Sequence, residues 1–416
     1  MKNVDEAVHE KKDSFSSLGI SSFLCEALKK RNIVSPTEIQ RKVIPRLLSG
    51  ENFLFRSATG TGKTFAYLLP LLERLMGSAG AQRGKPLFLI AAPTFELCSQ
   101  IKSEADFLLA GAPFPVHTAL LIGSASLGRQ TEILKKDRPE LIVGNPGRIL
   151  ALARQRKLKL DNVRFLVLDE GDRLVHDELF GETSEMVSLL RSSLRDAALQ
   201  SAACSATIPA KSRERLHTLL GLLPVSAGGV SVVDDSIENV LTEKVEHWAF
   251  FSPVREKIDL LRSLIAALRP AGKKSSASVK ALIFTSRANQ VENIASRLKH
   301  HKLPADGLSG AMDKSRRKDV LDAFRAGRIR FLVSSDLAAR GLDIQDISHV
   351  IALDVSEDKD VYLHRAGRTA RAGKSGVMIS IGTEGEMRRL AALEKNMGIT
   401  IYPKELYGGR ILAPGD

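Results

Sequence analysis

Cysteine is scarce in this chain: three residues in 416, Cys25, Cys98 and Cys204, an odd number with no pair at metal-ligand spacing. That excludes a disulfide-stapled scaffold and a cysteine zinc site, and it fits a reducing compartment. No apolar run is long enough to span a bilayer. Residues Met1 to Asp13 mix acids and bases without an apolar centre, so no secretory signal is read there. No short solenoid period runs along the chain, and the stretch after Pro403 carries no arginine–glycine or low-complexity segment. The expected location is cytoplasmic, with no membrane association.

What is present describes a globular protein, with 44% hydrophobic and 26% charged residues. The length suits two or three domains, each with its own core. A net charge of +13 favours a polyanionic partner, nucleic acid ahead of a membrane surface. Simple solubility is the alternative, and charge alone does not exclude it.

Short apolar runs alternate with amphipathic stretches, the pattern of a parallel sheet covered by helices. Strands are expected at 52–56, 86–92, 117–122, 140–144, 164–168 and 201–204, then at 245–250, 281–285, 329–334, 349–355 and 376–381. Between the two sets, Leu222 to Asn239 dissolves into Pro, Ser, Gly and Asp, a linker by composition. Arg269 to Lys280 reads as a surface loop. The expected fold is α/β, two tandem domains that are each a parallel sheet flanked by helices. The boundaries read as a tail 1–13, domains 14–225 and 241–405, a linker 226–240 and a short tail 406–416.

One segment carries chemistry on its face. Ser57-Ala58-Thr59-Gly60-Thr61-Gly62-Lys63-Thr64 leaves an apolar strand and opens an apolar helix-like stretch from Phe65 to Met76. A glycine-rich turn there offers backbone N–H groups, a helix N-terminus and one lysine to a polyphosphate. Thr64 adds a hydroxyl where phosphate-bound Mg²⁺ needs a ligand. The strict pattern wants glycine at position 57, but the flanking strand and helix set the loop apart from a chance flexible turn.

Leu166-Val167-Leu168 reads as a buried strand ending in Asp169-Glu170-Gly171-Asp172. Ligands of open α/β sheets sit beyond the carboxyl ends of strands. With a phosphate loop in the same chain, Asp169 is expected to hold the metal through water, and Glu170 to orient or deprotonate the attacking water. Without that loop an acidic helix start would be the better reading. The second half holds His364-Arg365-Ala366-Gly367-Arg368-Thr369-Ala370-Arg371, three arginines at spacings of three on a helix-sized stretch. A solvated basic face is the default for such a run. Triphosphate hydrolysis needs more positive charge than one lysine, however, and arginines from a neighbouring domain are worth about 10³–10⁵ in rate. Arg368 and Arg371 are the candidates.

This ordered set resembles the DEAD-box family of ATP-dependent RNA helicases, from about Phe15 to Ile401. The resemblance implies two RecA-like domains that bind ATP, with Mg²⁺, and RNA between them. Phe15 and Pro36-Thr37-Glu38-Ile39-Gln40 look like the adenine-reading motif, with Phe15 stacking on the base and Gln40 bonding its edge; a core aromatic and a helix-surface glutamine are the alternatives. Nucleotide binding is implied for 57–64 and for Gly341 and Asp343 within Asp336-Leu337-Ala338-Ala339-Arg340-Gly341-Leu342-Asp343. Ser205-Ala206-Thr207 matches the motif coupling hydrolysis to strand separation, and His364 to Arg371 matches the arginine-finger motif. Ala92-Pro93-Thr94-Phe95-Glu96-Leu97 and Asn145-Pro146-Gly147-Arg148 look like RNA-backbone motifs. RNA contacts are thereby implied for Pro93, Thr94, Gly123, Gly147, Arg148, Arg287 and Ser335.

Departures from the family pattern cluster on the RNA side. Phe95 replaces an arginine, Ser124 a glycine and Asn145 a threonine, Arg287 takes a threonine position, and Lys314 a glutamine position. On the ATP side, Ser57 and Gly171 stand where alanine is usual, and Gly171 is expected to loosen the turn after Glu170. Ordinary ATP turnover with rebalanced RNA contacts is the expectation. RNA and ATP together would favour a closed state and bend one strand locally. An RNA clamp with little unwinding and a DNA-directed motor are the rival readings. A protein partner would direct the chain to a particular RNA, and the sequence leaves oligomeric state open.

Overall fold

The computed structural model describes residues 14–57, 61–77, 84–194, 197–221, 233–234, 244–268, 279–310, 312–339, 344, 346–370 and 374–415. The chain divides into two compact units, Met1–Asp235 and Ser236–Asp416.

In the first unit the elements run α1 (Ser22–Lys29), α2 (Glu38–Leu48), β1 (Phe53–Arg56), α3 (Lys63–Gly77), β2 (Phe88–Ala91), α4 (Phe95–Leu109), β3 (Thr118–Leu121), α5 (Leu127–Asp137), β4 (Leu141–Gly144), α6 (Pro146–Arg154), β5 (Phe165–Asp169), α7 (Gly171–Leu174), α8 (Asp177–Ser193), β6 (Gln200–Ser205), α9 (Ala210–Leu220) and β7 (Val233–Asp234). The strands form one parallel sheet in the order β3-β4-β2-β5-β6-β1-β7.

Its strands read as unbroken apolar runs because both faces are buried. The period of two divides each run: Phe53, Phe55, Phe165, Val167 and Cys204 join one apolar layer with helix α3, whereas Leu54, Leu166, Leu168 and Ala203 join the other. Asp169, next after Leu168, is thereby turned to the α3 layer.

The second unit repeats the plan with β8 (Val245–Phe251), α10 (Lys257–Leu268), β9 (Ala281–Phe284), α11 (Val291–His300), β10 (Ala305–Leu308), α12 (Lys314–Arg325), β11 (Phe331–Ser334), α13 (Asp336–Ala339), β12 (His349–Ala352), α14 (Lys359–Ala366), β13 (Gly376–Gly382), α15 (Glu384–Met397), β14 (Ile401–Pro403), β15 (Glu405–Tyr407) and β16 (Arg410–Leu412). Its parallel sheet runs β10-β11-β9-β12-β13-β8-β14, and β15 and β16 pair as an antiparallel hairpin. No helix among the described residues is long and apolar enough to cross a membrane.

Each expected strand has a counterpart, and the structure adds others. Val233–Asp234, inside the stretch read as linker, pairs with Phe55 and Arg56 at the edge of the first sheet. The segment 406–416, read as a tail, carries most of the β15–β16 hairpin, with Ile411 packed against the second core. Strand β10 went unread because Asp306 and Gly307 interrupt its apolar run. Asp306 is tolerated there through its pairing with Lys299 at 2.7 Å and Arg316 at 2.9 Å. Most of the expected loop 269–280 lies outside the described residues.

Candidate active site

Strand β1 delivers the chain to Ser57, whose N–H donates to the Ser205 carbonyl at 3.1 Å and so ties the phosphate loop to the end of β6. Ser57 is fully buried, and its hydroxyl lies 2.5 Å from that of Thr61, so the serine brings a satisfied polar group into the core. Ala58, Thr59 and Gly60 lie outside the described residues. Gly62 has φ +93°, which strains any other residue, and a Cβ there would displace the Gln40 amide.

Gln40 is 2% exposed, not a surface residue. Its amide donates to the Gly62 carbonyl at 3.0 Å, while its side-chain oxygen accepts the Thr37 N–H at 2.9 Å in a capping box. The glutamine expected to read adenine is thus joined directly to the phosphate loop. Phe15 is 3% exposed and packed in the first core, the surroundings its core-aromatic alternative describes.

Lys63 begins α3 and donates to the Ser57 carbonyl at 2.7 Å. Burial lowers its pKa, against the opposing pull of the acids Asp169 and Glu170. Asp169 is 3% exposed. Its Oδ2 accepts from the Tyr67 hydroxyl at 2.7 Å; its Oδ1 accepts from the Glu170 N–H at 2.8 Å and the Cys204 thiol at 3.1 Å. Burial first, and the Asp169 charge second, push both Tyr67 and Cys204 well above their ordinary pKa, so both stay protonated donors.

Glu170 has φ +48°, the left-handed region a non-glycine residue enters at a cost on the order of 1 kcal/mol. It lies 3.6 Å from Arg173. The next residue is packed rather than loose: a Cβ on Gly171 would come within 3.3 Å of Leu216 and 3.4 Å of Ala203. Thr207 donates its hydroxyl to Asp172 at 3.1 Å. The Ser205–Thr207 segment therefore touches the phosphate loop through Ser205 and the acidic turn through Thr207.

Thr64 and Asp169 fit Mg²⁺ by donor chemistry. A hydroxyl and a carboxylate are what this ion takes from protein when phosphates and water supply the remaining oxygens. Among the described residues no cluster of three or more His, Cys, Asp or Glu side chains could hold a metal unaided.

The residues expected to contact RNA occupy the other half of the same sheet edge, beyond β3, β4 and β2. Arg148 donates to the Gly123 carbonyl at 2.8 Å, placing Gly123, Gly147 and Arg148 together. Asn145 donates to the Ala92 carbonyl at 2.9 Å, and Thr94, after Pro93, caps α4 by accepting the Leu97 N–H. Phe95, the first residue of α4, is 43% exposed.

In the second unit the arginine run does not form one helix face. Helix α14 stops at Ala366, with Gly367 as its cap. Arg365 is 3% exposed and makes a bidentate pair with Asp336 at 2.7 and 2.8 Å, plus bonds to the Asp354 carboxylate at 2.9 Å and carbonyl at 2.8 Å. It is structural. His364 is half-buried on the helix, and Arg368 follows it at 5% exposure. Arg371, Gly341 and Asp343 lie outside the described residues. Ser335, 5% exposed, accepts the Ala338 N–H at the start of α13. Arg287 is exposed and lines a cleft of about 930 Å³ beyond β9, β12 and β13, with Arg255, Arg297 and Arg389 also on its wall.

Tyr67, Cys204 and the Asp336–Asp354 pair were not read from the sequence. Only Tyr67 carried a signal, as the polar residue three positions after Thr64 on an otherwise apolar stretch.

Comparison with known proteins bears on this geometry. The family model for the DEAD/DEAH box helicase matches residues 37–216, and that for the helicase conserved C-terminal domain matches 256–373. The DEAD-box ATP-dependent RNA helicase CshC of Bacillus cereus is 36% identical over 387 residues, covering 93% of this chain and 92% of the relative. The ATP-dependent rRNA helicase rrp3 of Botryotinia fuckeliana is 35% identical, covering 92% and 74%. The fold is shared with S. cerevisiae Dbp5 bound to RNA and ADP BeF3, at 24% identity and a TM-score of 0.77, over 94% of this chain and 96% of that one.

Proposed function

The chain belongs to the DEAD-box family of ATP-dependent RNA helicases, and on that premise we propose how its residues perform the activity. ATP binds at the loop 57–64, with Lys63 on the phosphates and Gln40 relaying occupancy of the adenine pocket to Gly62. Thr64 and, through water, Asp169 would hold Mg²⁺, which would supply neutralisation of the phosphate charge. Glu170 positions the attacking water. Arg368 and Arg371 supply the remaining positive charge, so that turnover requires both units; His364, Gly341 and Asp343 complete the second unit's share.

RNA lies along its phosphates and 2′-hydroxyls on Pro93, Thr94, Gly123, Gly147 and Arg148 of the first unit and on Arg287 and Ser335 of the second, with little sequence preference. Separating a base-pair step costs about 1.4 kcal/mol on the DNA stacking scale, so a few steps fall within reach of one ATP-linked closure. Local strand separation follows rather than long-range tracking. A protein partner that selects the RNA completes the proposal.

The observation that carries this reading is the Ser205–Thr207 segment, bonded at one end to the phosphate loop and at the other to Asp172. The test is displacement of a short RNA duplex and of the matching DNA duplex with ATP. RNA displacement well above DNA displacement supports the reading; RNA-stimulated hydrolysis without displacement makes the protein a clamp, and equal action on both duplexes removes the RNA preference.

A further inference from the structure

The Tyr67 hydroxyl donates to Asp169 Oδ2 at 2.7 Å. Thr64 and Tyr67 are three residues apart on α3 and so share a face. Tyr67 is fully buried and Asp169 is 3% exposed, so their hydrogen bond is made away from water, while Thr64 on the same helix is half-buried.

A carboxylate has about four lone-pair sites, and those of Asp169 already serve Tyr67, Cys204 and the Glu170 N–H. What is left suits a water rather than close approach of the ion.

We propose that Tyr67 is a positioning residue of the magnesium site: from the helix face that also carries Thr64, its hydroxyl holds the Asp169 carboxylate in the orientation that would meet the ion through water. The inference rests on the ATP reading above. Cys204 supports the same carboxylate from β6 as a weaker donor.

Tyr67→Phe deletes only the hydroxyl. A fluorescent non-hydrolysable ATP analogue is bound to the full-length chain first without Mg²⁺ and then across a Mg²⁺ titration, with the thermal midpoint measured alongside. Expected are a Mg²⁺-free affinity within about twofold of wild type and a Mg²⁺ half-saturation raised about tenfold, the scale on which outer partners act on metal ligands. Cys204→Ala should move the half-saturation in the same direction by a smaller factor. An unchanged Mg²⁺ response in Tyr67→Phe, even with a lowered thermal midpoint, reduces the tyrosine to a packing role and overturns the proposal. Failure of the wild type to bind the analogue would instead remove the ATP reading beneath it.

Discussion

Replacing Arg365 by alanine should unfold the second unit early rather than merely silence a catalytic arginine. The side chain is 3% exposed and makes four hydrogen bonds, three to the carboxylates of Asp336 and Asp354 and one to the Asp354 carbonyl. Breaking a buried ion pair by removing one partner costs about 3–5 kcal/mol. The stranded carboxylates are 27% and 21% exposed, so water recovers part of the loss, and the low end, about 3 kcal/mol, applies. For a unit of this size that lowers the midpoint by about 6–12 °C. Arg365→Lys should recover little, because one ammonium cannot reproduce the forked contact with Asp336. The chain's single tryptophan, Trp248, lies on β8 of the same unit, so urea unfolding followed by its fluorescence reports the unit concerned. A loss under 0.5 kcal/mol in Arg365→Ala, the range of an ordinary surface change, would refute the structural assignment and return Arg365 to the basic face.

Other expectations follow from single contacts. Thr207→Val removes the bond to Asp172 at 3.1 Å; RNA duplex displacement should fall more than ATP turnover, and equal loss of both would deny Thr207 a coupling role. Arg287→Thr should weaken RNA binding and reduce the slope of log affinity against log salt by about one, and an unchanged slope would place Arg287 off the RNA path. Burial holds His349 down at about 4 against its ordinary 6.5. The unfolded chain therefore binds the extra proton first, and the second unit keeps this stability above about pH 6.5 and loses it as pH falls toward 4. The full difference is on the order of 3 kcal/mol. Urea unfolding by Trp248 fluorescence at pH 5 and pH 7.5 should show the loss in wild type and less of it in His349→Gln; identical losses would exclude His349 as its source.

The two sheets could be read because their strands are buried on both faces and so stand out as apolar runs between amphipathic stretches. Strand β10 escaped because Asp306 is held by Lys299 and Arg316, partners that only the folded chain brings near. Val233–Asp234 escaped because two residues beside a Gly-rich stretch carry no pattern of their own, and their pairing with Phe55 and Arg56 is purely tertiary. The loop after β1 and the acidic turn after β5 were legible as places in the fold because both sit at strand ends that the apolar pattern marks. The arginine run shows what spacing leaves out: α14 ends at Ala366, and Arg365 turns inward to acids 29 and 11 residues away. Gln40 and Tyr67 show the same limit from the other side. Their partners, Gly62 and Asp169, are 22 and 102 residues distant.

The most direct test of the account is steady-state ATP turnover with and without single-stranded RNA, for wild type and Glu170→Gln. The account expects RNA to stimulate the wild type and Glu170→Gln to lose that turnover while still binding RNA in the presence of ATP. Full turnover by Glu170→Gln, or a wild-type rate indifferent to RNA, would contradict it.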